Sequence, residues 1–179
     1  MTDRNKRYFN FNSSRQPATG AVHYPFLKVL PAHLTADSID FVSGGAVTGT
    51  VADIQDEYDG NVYSVAEAAA TPGFEFVIKF ANVPFFKFIR LVAAYEGTAT
   101  HAVIMQLYDF GNTVYHTKRI VPTLPVYSLT PGEVVAGRYD SVIEDSTPYI
   151  SGGEVWMRII HVTAGNSSHD IHILYASLF

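Results

Sequence analysis

The strongest constraint on the fold is a regular alternation of apolar and other side chains in two stretches, residues 155–161 and 169–178. A period of two is typical of a β-strand that buries one of its faces. Between the stretches lies a polar break that contains Gly165 and Asn166. Both residue types tolerate positive φ and are common in tight turns. The sequence therefore predicts a β-hairpin near the C-terminal end of the chain.

Pairing His161 with His169 across this hairpin sets the register of all the other pairs. Ile159 then lies opposite Ile171, and the shared face becomes an apolar strip that ends in two histidines. We expect both isoleucines to be buried, because a slip of one residue would turn the strip towards solvent. The opposite face carries Trp156, Arg158, Asp170 and His172.

The rest of the body is predicted to form short strands, about ten in all, separated by Gly- and Asn-containing turns. Residues 85–95 are apolar on both faces, which is typical of a central strand or of an interface. Ser64 and Glu67 have the spacing of a capping box, but Pro72 follows too soon for a stable helix, so we expect a strand that runs into a loop. The predicted fold is all-β, an antiparallel β-sandwich of jelly-roll type.

The first part of the chain differs from this body. Residues 1–35 show neither helical nor strand periodicity, and Pro25 and Pro31 prevent a regular element near the junction. We therefore predict an extended N-terminal arm over residues 1–35 and a sandwich domain over residues 36–179.

The formal net charge of −5 is distributed unevenly. Residues 1–30 carry five basic residues and one acidic residue, so the remainder is strongly acidic. Such a body lacks the basic footprint that nucleic acid requires. The most apolar run, residues 74–91, is interrupted by charged residues and by Pro84, so no membrane span is predicted. The chain has no cysteine, which excludes disulfides and thiolate chemistry.

The basic arm has two interpretations, a docking segment for an acidic partner or a solvated tail. The residues that would dock are basic and aromatic: Arg4, Lys6, Arg7, Tyr8, Phe9 and Phe11.

Five motifs follow one another along the body. They are residues 59–65 (Asp-Gly-Asn-Val-Tyr-Ser-Val), 71–74 (Thr-Pro-Gly-Phe), 94–109, 149–153 (Tyr-Ile-Ser-Gly-Gly) and 158–170. Together they resemble galactose-binding-like jelly-roll modules of tailed-bacteriophage virion proteins. The likeness covers residues 46–178 and is most specific at its C-terminal end. It departs from the family pattern at Ile173-Leu174-Tyr175, where the family has Ile-Asp-Tyr, so a ligand role for that acid is not expected here.

The resemblance implies a structural protein located in the virion, as a capsid decoration or tail-associated module, and not an enzyme. Its partners would be other virion subunits and further copies of itself. The alternative is a carbohydrate-binding attachment module that recognises a host glycan. Fold analogy alone does not decide between the two.

Three histidines near the C-terminal end invite a metal interpretation, since imidazole is a common zinc ligand. His169 and His172 are three residues apart in a strand and so lie on opposite faces. Only His161 and His169 can converge, and two ligands do not complete a zinc site. We therefore predict no metal here, but a polar cluster at the rim of the domain made of His161, Asn166, His169, Arg158 and Asp170. Arg158 and Asp170, together with His172 on the same face, would form a cross-strand charge pair, or a polar grip on a sugar or neighbouring subunit.

A cluster of acids in the loop after residue 52 could bind calcium through Asp53, Asp56 and Asp59, although a solvated acidic turn explains the same pattern. We expect no other cofactor. None of the common catalytic motifs occurs, neither a nucleophile elbow nor a His-Glu-x-x-His helix nor a phosphate-binding loop. The sequence therefore favours a non-enzymatic protein.

Overall fold

The computed structural model of the chain describes residues 33–57, 59–97, 101–122 and 136–179. These residues belong to a single unit, Pro31–Phe179. Leu34 and Thr35, the last residues of the predicted arm, form a strand of this unit. Residues 1–32 of the arm lie outside the described residues, and so do all six docking residues named for it.

Strands dominate the described residues, and the helical segments among them are two short 3-10 helices, Val51–Ile54 and Thr147–Tyr149. The strands are β1 (Leu34–Thr35), β2 (Ser38–Ser43), β3 (Val47–Thr48), β4 (Tyr63–Ala66), β5 (Phe74–Phe80), β6 (Phe88–Glu96), β7 (Ala102–Asp109), β8 (Val114–Pro122), β9 (Gly137–Val142), β10 (Val155–His161) and β11 (Asp170–Leu178). As expected, the capping-box stretch is a strand followed by a loop.

The strands form two antiparallel sheets. One has six strands in the order β3-β4-β11-β6-β9, with β1 paired to the C-terminal part of β11. The other has five, in the order β2-β5-β10-β7-β8. From β4 to β7 the chain changes sheet at each step, and it does so again from β8 to β11. The predicted antiparallel sandwich of jelly-roll type is confirmed.

The core lies between the sheets and follows from the period-two patterns. In β5 the side chains of Phe74, Phe76, Ile78 and Phe80 are fully buried, while Glu75 and Lys79 between them point outward. Each large apolar side chain buried in this way contributes about 1.5–3 kcal/mol to stability. Residues 88–95 of the doubly apolar stretch belong to β6, which lies between β11 and β9.

The predicted C-terminal hairpin is wrong. β10 pairs with β5 and β7 in the five-stranded sheet, whereas β11 pairs with β4, β6 and β1 in the other. Ile159 and Ile171 are fully buried as expected. They belong to opposite sheets, however, and do not form a cross-strand pair. Residues 162–169 are therefore a connection between sheets and not a hairpin turn.

Candidate functional site

A buried carboxylate occupies one end of the core. Tyr63 and Val65 of β4 point inward, and the same alternation carries Glu67, just beyond the strand, into the interior. Its side chain is fully buried. The backbone N–H of Glu67 donates to the carbonyl of His169, 2.8 Å away, which fixes the strand end against the β10–β11 connection. A charged group is costly to bury unless partners surround it.

Both oxygens of this carboxylate accept hydrogen bonds. The hydroxyl of Tyr95, from β6, donates to Oε1. The backbone N–H of Asn166 donates to Oε2 over 2.6 Å. Two elements distant in sequence from β4 therefore supply its hydrogen-bond donors, and each such bond to a charged group is stronger than one between neutral groups.

Three histidine rings complete the surroundings of the carboxylate. Nδ1 of His161 lies 3.3 Å from Oε1, while Nδ1 of His101 and of His169 lie 3.4 and 3.3 Å from Oε2. The ring of His101 stacks on that of His161, with centroids 4.7 Å apart. We call Glu67, Tyr95, His101, His161 and His169 the Glu67 cluster.

Two glycines allow the loops around the cluster to approach each other. A Cβ on Gly73 would collide with Nδ1 of His161, and one on Gly165 would collide with the carbonyl of Ala68. The backbone N–H of Gly73 donates to the carbonyls of His161 and Thr163, at 2.9 and 2.8 Å. The cluster thus lies beneath two loops, residues 66–73 and 162–169, that are hydrogen-bonded together.

The environment shifts the pKa values within the cluster. Burial alone would raise the pKa of Glu67. The hydrogen bonds from Tyr95 and Asn166 and the neighbouring histidines have the opposite and larger effect, so the net pKa lies below its usual value. Burial lowers the pKa of His161, against the attraction of Glu67. Burial and the bond to Glu67 raise the pKa of Tyr95. The arrangement favours an ionised carboxylate and a neutral His161.

The structure brings together three of the five residues predicted for the rim cluster. His161 and His169 face Glu67, and Asn166 contributes its backbone N–H. Arg158 and Asp170 do not join them, and the predicted pair between these two is wrong, because β10 and β11 lie in different sheets.

Sequence reasoning missed the centre of the cluster: Glu67, Tyr95 and His101. For Glu67 a signal existed, since it continues the inward positions of Tyr63 and Val65. Its capping-box spacing drew attention to a helical role instead. His101 lies between strands, where the alternation gives no facing direction.

A second region with functional character lies on the outer face of the five-stranded sheet. The ring of Trp156 on β10 stacks on Tyr108 of β7, with centroids 5.3 Å apart and planes 24° apart. Tyr108 also contacts Tyr115 of β8 at 4.9 Å, and Phe110 contacts Trp156 at 5.1 Å. All four rings are half-buried. We call Trp156, Tyr108, Phe110 and Tyr115 the aromatic row.

A row of polar side chains runs beside the aromatic row. The guanidinium of Arg158 donates to Oε1 of Gln106 over 2.8 Å and to the carboxylate of Glu75 over 3.1 Å. The side-chain amide of Gln106 donates to the hydroxyl of Thr117. Arg158 also lies over the Tyr115 ring, with Cζ 3.7 Å from its centroid. Arg158, Gln106, Thr117 and Glu75 form what we call the polar row.

Two of the three acids predicted as calcium ligands are engaged in local turns. Asp53 accepts hydrogen bonds from the backbone N–H and the hydroxyl of Thr50, and Asp59 accepts two from Asn61. Asp56 is exposed. Calcium binding there stays a prediction. Within the described ranges, the acid and histidine side chains that converge closely enough for one ion are Glu67, His101 and His169.

No family model and no curated protein matches this chain. Similar folds occur among solved structures. A variant of a family 29 carbohydrate-binding module superposes with a TM-score of 0.47 at 12% identity, over 82% of this chain and 88% of that one. A second variant, complexed with cellulohexaose, gives 0.45 at 13%, over 81% and 86%.

A further similar structure is a carbohydrate-binding domain of a multidomain xylanase from the hindgut metagenome of Trinervitermes trinervoides. It gives a TM-score of 0.42 at 13% identity, over 82% of this chain and 94% of that one. At these TM-scores the likenesses identify neither a family nor a ligand for this chain.

Within the ranges that the structure describes, no helix has the length and apolar character needed to cross a membrane.

Proposed function

We propose that this chain is a non-catalytic module that binds carbohydrate on the outer face of its five-stranded sheet. The observation that carries the proposal is the aromatic row beside the polar row. The C–H faces of a sugar ring pack on aromatic side chains, and its hydroxyls need donors and acceptors close by. Cross-strand neighbours on one sheet supply both kinds of group in parallel lines, which suits an extended oligosaccharide.

The position of Trp156 supports this proposal. A tryptophan in a strand is a weak sign of sugar binding when its face is unknown. Here Trp156 belongs to the outward-pointing set of β10, and the ammonium of Lys79 lies 4.8 Å from its ring. Aromatic pairs across neighbouring strands also stabilise a sheet, and this structural role explains the stacking of Trp156 on Tyr108. Stabilisation of one pair does not explain why further aromatic rings and an arginine lie on the same face.

Tryptophan fluorescence tests the proposal directly, because Trp156 is the only tryptophan in the sequence. The full chain is titrated with a panel of oligosaccharides that includes cellulohexaose. We expect a saturable change in emission with at least one glycan, and an affinity about 2- to 13-fold lower in Tyr108→Ala, since an aromatic contact contributes about 0.5–1.5 kcal/mol.

The matched control is His172→Ala, on the outer face of the other sheet, which should bind as the wild type does. Absence of binding to every glycan, or equal binding by both variants, would contradict the proposal.

A second candidate function is the virion structural role that the sequence resemblance implies, with self-association or docking on another virion subunit. Exposed apolar side chains favour it. Phe85, Phe88 and Val142 are 56%, 49% and 70% exposed, and Phe88 and Val142 pair across β6 and β9. Among the described strands β9 is the last of its sheet, and a sheet edge beside apolar side chains is a common site of association.

Mass measurement in solution tests this second function. We expect an oligomer that Phe88→Ser or Val142→Lys dissociates, and loss of particle binding when residues 1–30 are deleted. A monomeric wild type that also fails to bind particles would rule it out.

A further inference from the structure

The strongest unassigned feature is the convergence of three ligand atoms in the Glu67 cluster. Oε2 of Glu67, Nδ1 of His101 and Nδ1 of His169 form a triangle whose edges are 3.4, 3.3 and 3.2 Å. We propose that Glu67, His101 and His169 bind a divalent transition-metal ion, zinc by preference, that ties together three connections at one end of the sandwich.

The dimensions of the triangle fit this ion. Zinc bonds to imidazole nitrogen and carboxylate oxygen are about 2.0–2.1 Å long, so adjacent ligands of a tetrahedral site lie about 3.3–3.4 Å apart. The three edges measured here span that value. A mixed imidazole and carboxylate set suits zinc, whereas calcium prefers oxygen ligands alone.

Hydrogen bonding alone accounts poorly for the same atoms. Two Nδ1 atoms that face each other across 3.2 Å can share at most one proton. Oε2 of Glu67 accepts the N–H of Asn166 and keeps a second lone pair, which lies within 3.3–3.4 Å of the two Nδ1 atoms. Within ion-pair distance, the basic side chains described for this buried carboxylate are three histidines, and no lysine or arginine is among them. A metal ion would supply the missing positive charge and use every converging lone pair.

His161 gives an independent observation. Its side chain is fully buried, and its Nδ1 has no hydrogen-bond partner in the described part of the chain, although Oε1 of Glu67 lies 3.3 Å away. Its Nε2 lies 3.0 Å from the hydroxyl of Thr163. If that nitrogen carries the proton, Nδ1 presents a lone pair to the cluster. His161 lies outside the set of three converging ligands, but its unpaired Nδ1 adds a lone pair that favours a cation in the cluster.

The location indicates a structural ion. Glu67 belongs to the β4–β5 connection, His101 directly precedes β7, and His169 ends the β10–β11 connection. His169 is nearly buried and His101 is one-fifth exposed, so solvent has little access. An ion here would cross-link loops from both sheets.

The test uses the full chain, prepared without a histidine tag and stripped with chelator. It is titrated with Co²⁺, whose visible absorption reports tetrahedral ligation, and with Zn²⁺ during thermal unfolding. We expect one equivalent to bind, a higher melting temperature with Zn²⁺, and loss of both effects in His101→Gln and His169→Gln.

The controls His172→Gln and His116→Gln alter histidines outside the cluster and should bind as the wild type does. Equal binding by all four histidine variants, or no ligand-field absorption and no change in melting temperature for the wild type, would overturn the proposal. X-ray absorption on the Zn²⁺-loaded wild type keeps the proposal falsifiable if the cluster variants fail to fold. Fewer than two imidazole ligands would overturn it.

Discussion

The Glu67 cluster and the two rows on the outer sheet face include residues from opposite faces of the same strand, β10. The inward residues of β10 end in His161 and the Glu67 cluster, whereas its outward residues Trp156 and Arg158 belong to the aromatic and polar rows. Inside, a fully buried carboxylate depends on a few fixed partners. Outside, Glu75 and Arg158 are each about one-fifth exposed, so water can replace a lost partner. Substituting the same type of residue should therefore lower the free energy of unfolding far more on the inner face than on the outer face.

The largest expected contrast is between two Glu→Gln substitutions. In Glu67→Gln one of the two hydrogen-bond donors, Tyr95 or the N–H of Asn166, must face an amide NH₂ group. We expect a loss of about 3 kcal/mol in the free energy of unfolding, measured with urea in the presence of chelator. Glu75→Gln, which removes the partner of Arg158, should cost at most about 1 kcal/mol. Equal losses of stability in the two variants would contradict the contrast between the buried and the outer face.

A pair of Tyr→Phe substitutions gives a smaller contrast. Tyr95→Phe removes the hydroxyl that donates to buried Glu67 and should lower the free energy of unfolding by about 1.5–3 kcal/mol. Tyr108→Phe keeps the ring in the aromatic row and removes a hydroxyl on the solvent side, so the change should stay within about 0.5 kcal/mol. Chemical denaturation of both variants measures the difference between the two stability losses. No difference would show that water reaches the Glu67 cluster.

The smallest effect concerns Asp109, in the turn that places Phe110 on the outer face. The side chain and backbone N–H of Asn112 donate to its carboxylate and hold its pKa below the usual 3.8. Because the folded-state pKa is lower than the unfolded one, the stabilisation is complete above 3.8 and is lost as the pH falls through the folded-state value. The stability gap between wild type and Asp109→Asn should therefore narrow below pH 3.8. A gap that stays constant with pH would show that the carboxylate charge is not involved.

Alternation along single strands predicted the sandwich and the buried faces, but it did not identify the strands that pair. Inward residues such as Ile159 and Ile171 look alike whether their strands are neighbours in one sheet or face each other across the core. The polar break of residues 162–169 fits a hairpin turn and a crossover between sheets equally well. Pairing depends on contacts far apart in sequence, which a local pattern does not encode.

The candidate sites, like the fold, were predictable only where the residues lie close together in sequence. His161, His169 and Asn166 were grouped from their nearness in sequence, and they do meet. Their common partner Glu67 lies about a hundred residues away, as the bond to Asn166 shows. The aromatic row was missed because Tyr108, Tyr115 and Trp156 become neighbours only through the strand order β10-β7-β8.

The strand order of the six-stranded sheet also affects how the protein is made. β11 lies between β4 and β6 yet follows both in the chain. As the ribosome releases the chain, β4 and β6 each wait with an unpaired edge until β11 emerges. An unpaired strand edge can pair with a strand of another chain. Slow synthesis of the segment between β6 and β11 would therefore prolong the period in which nascent copies can aggregate.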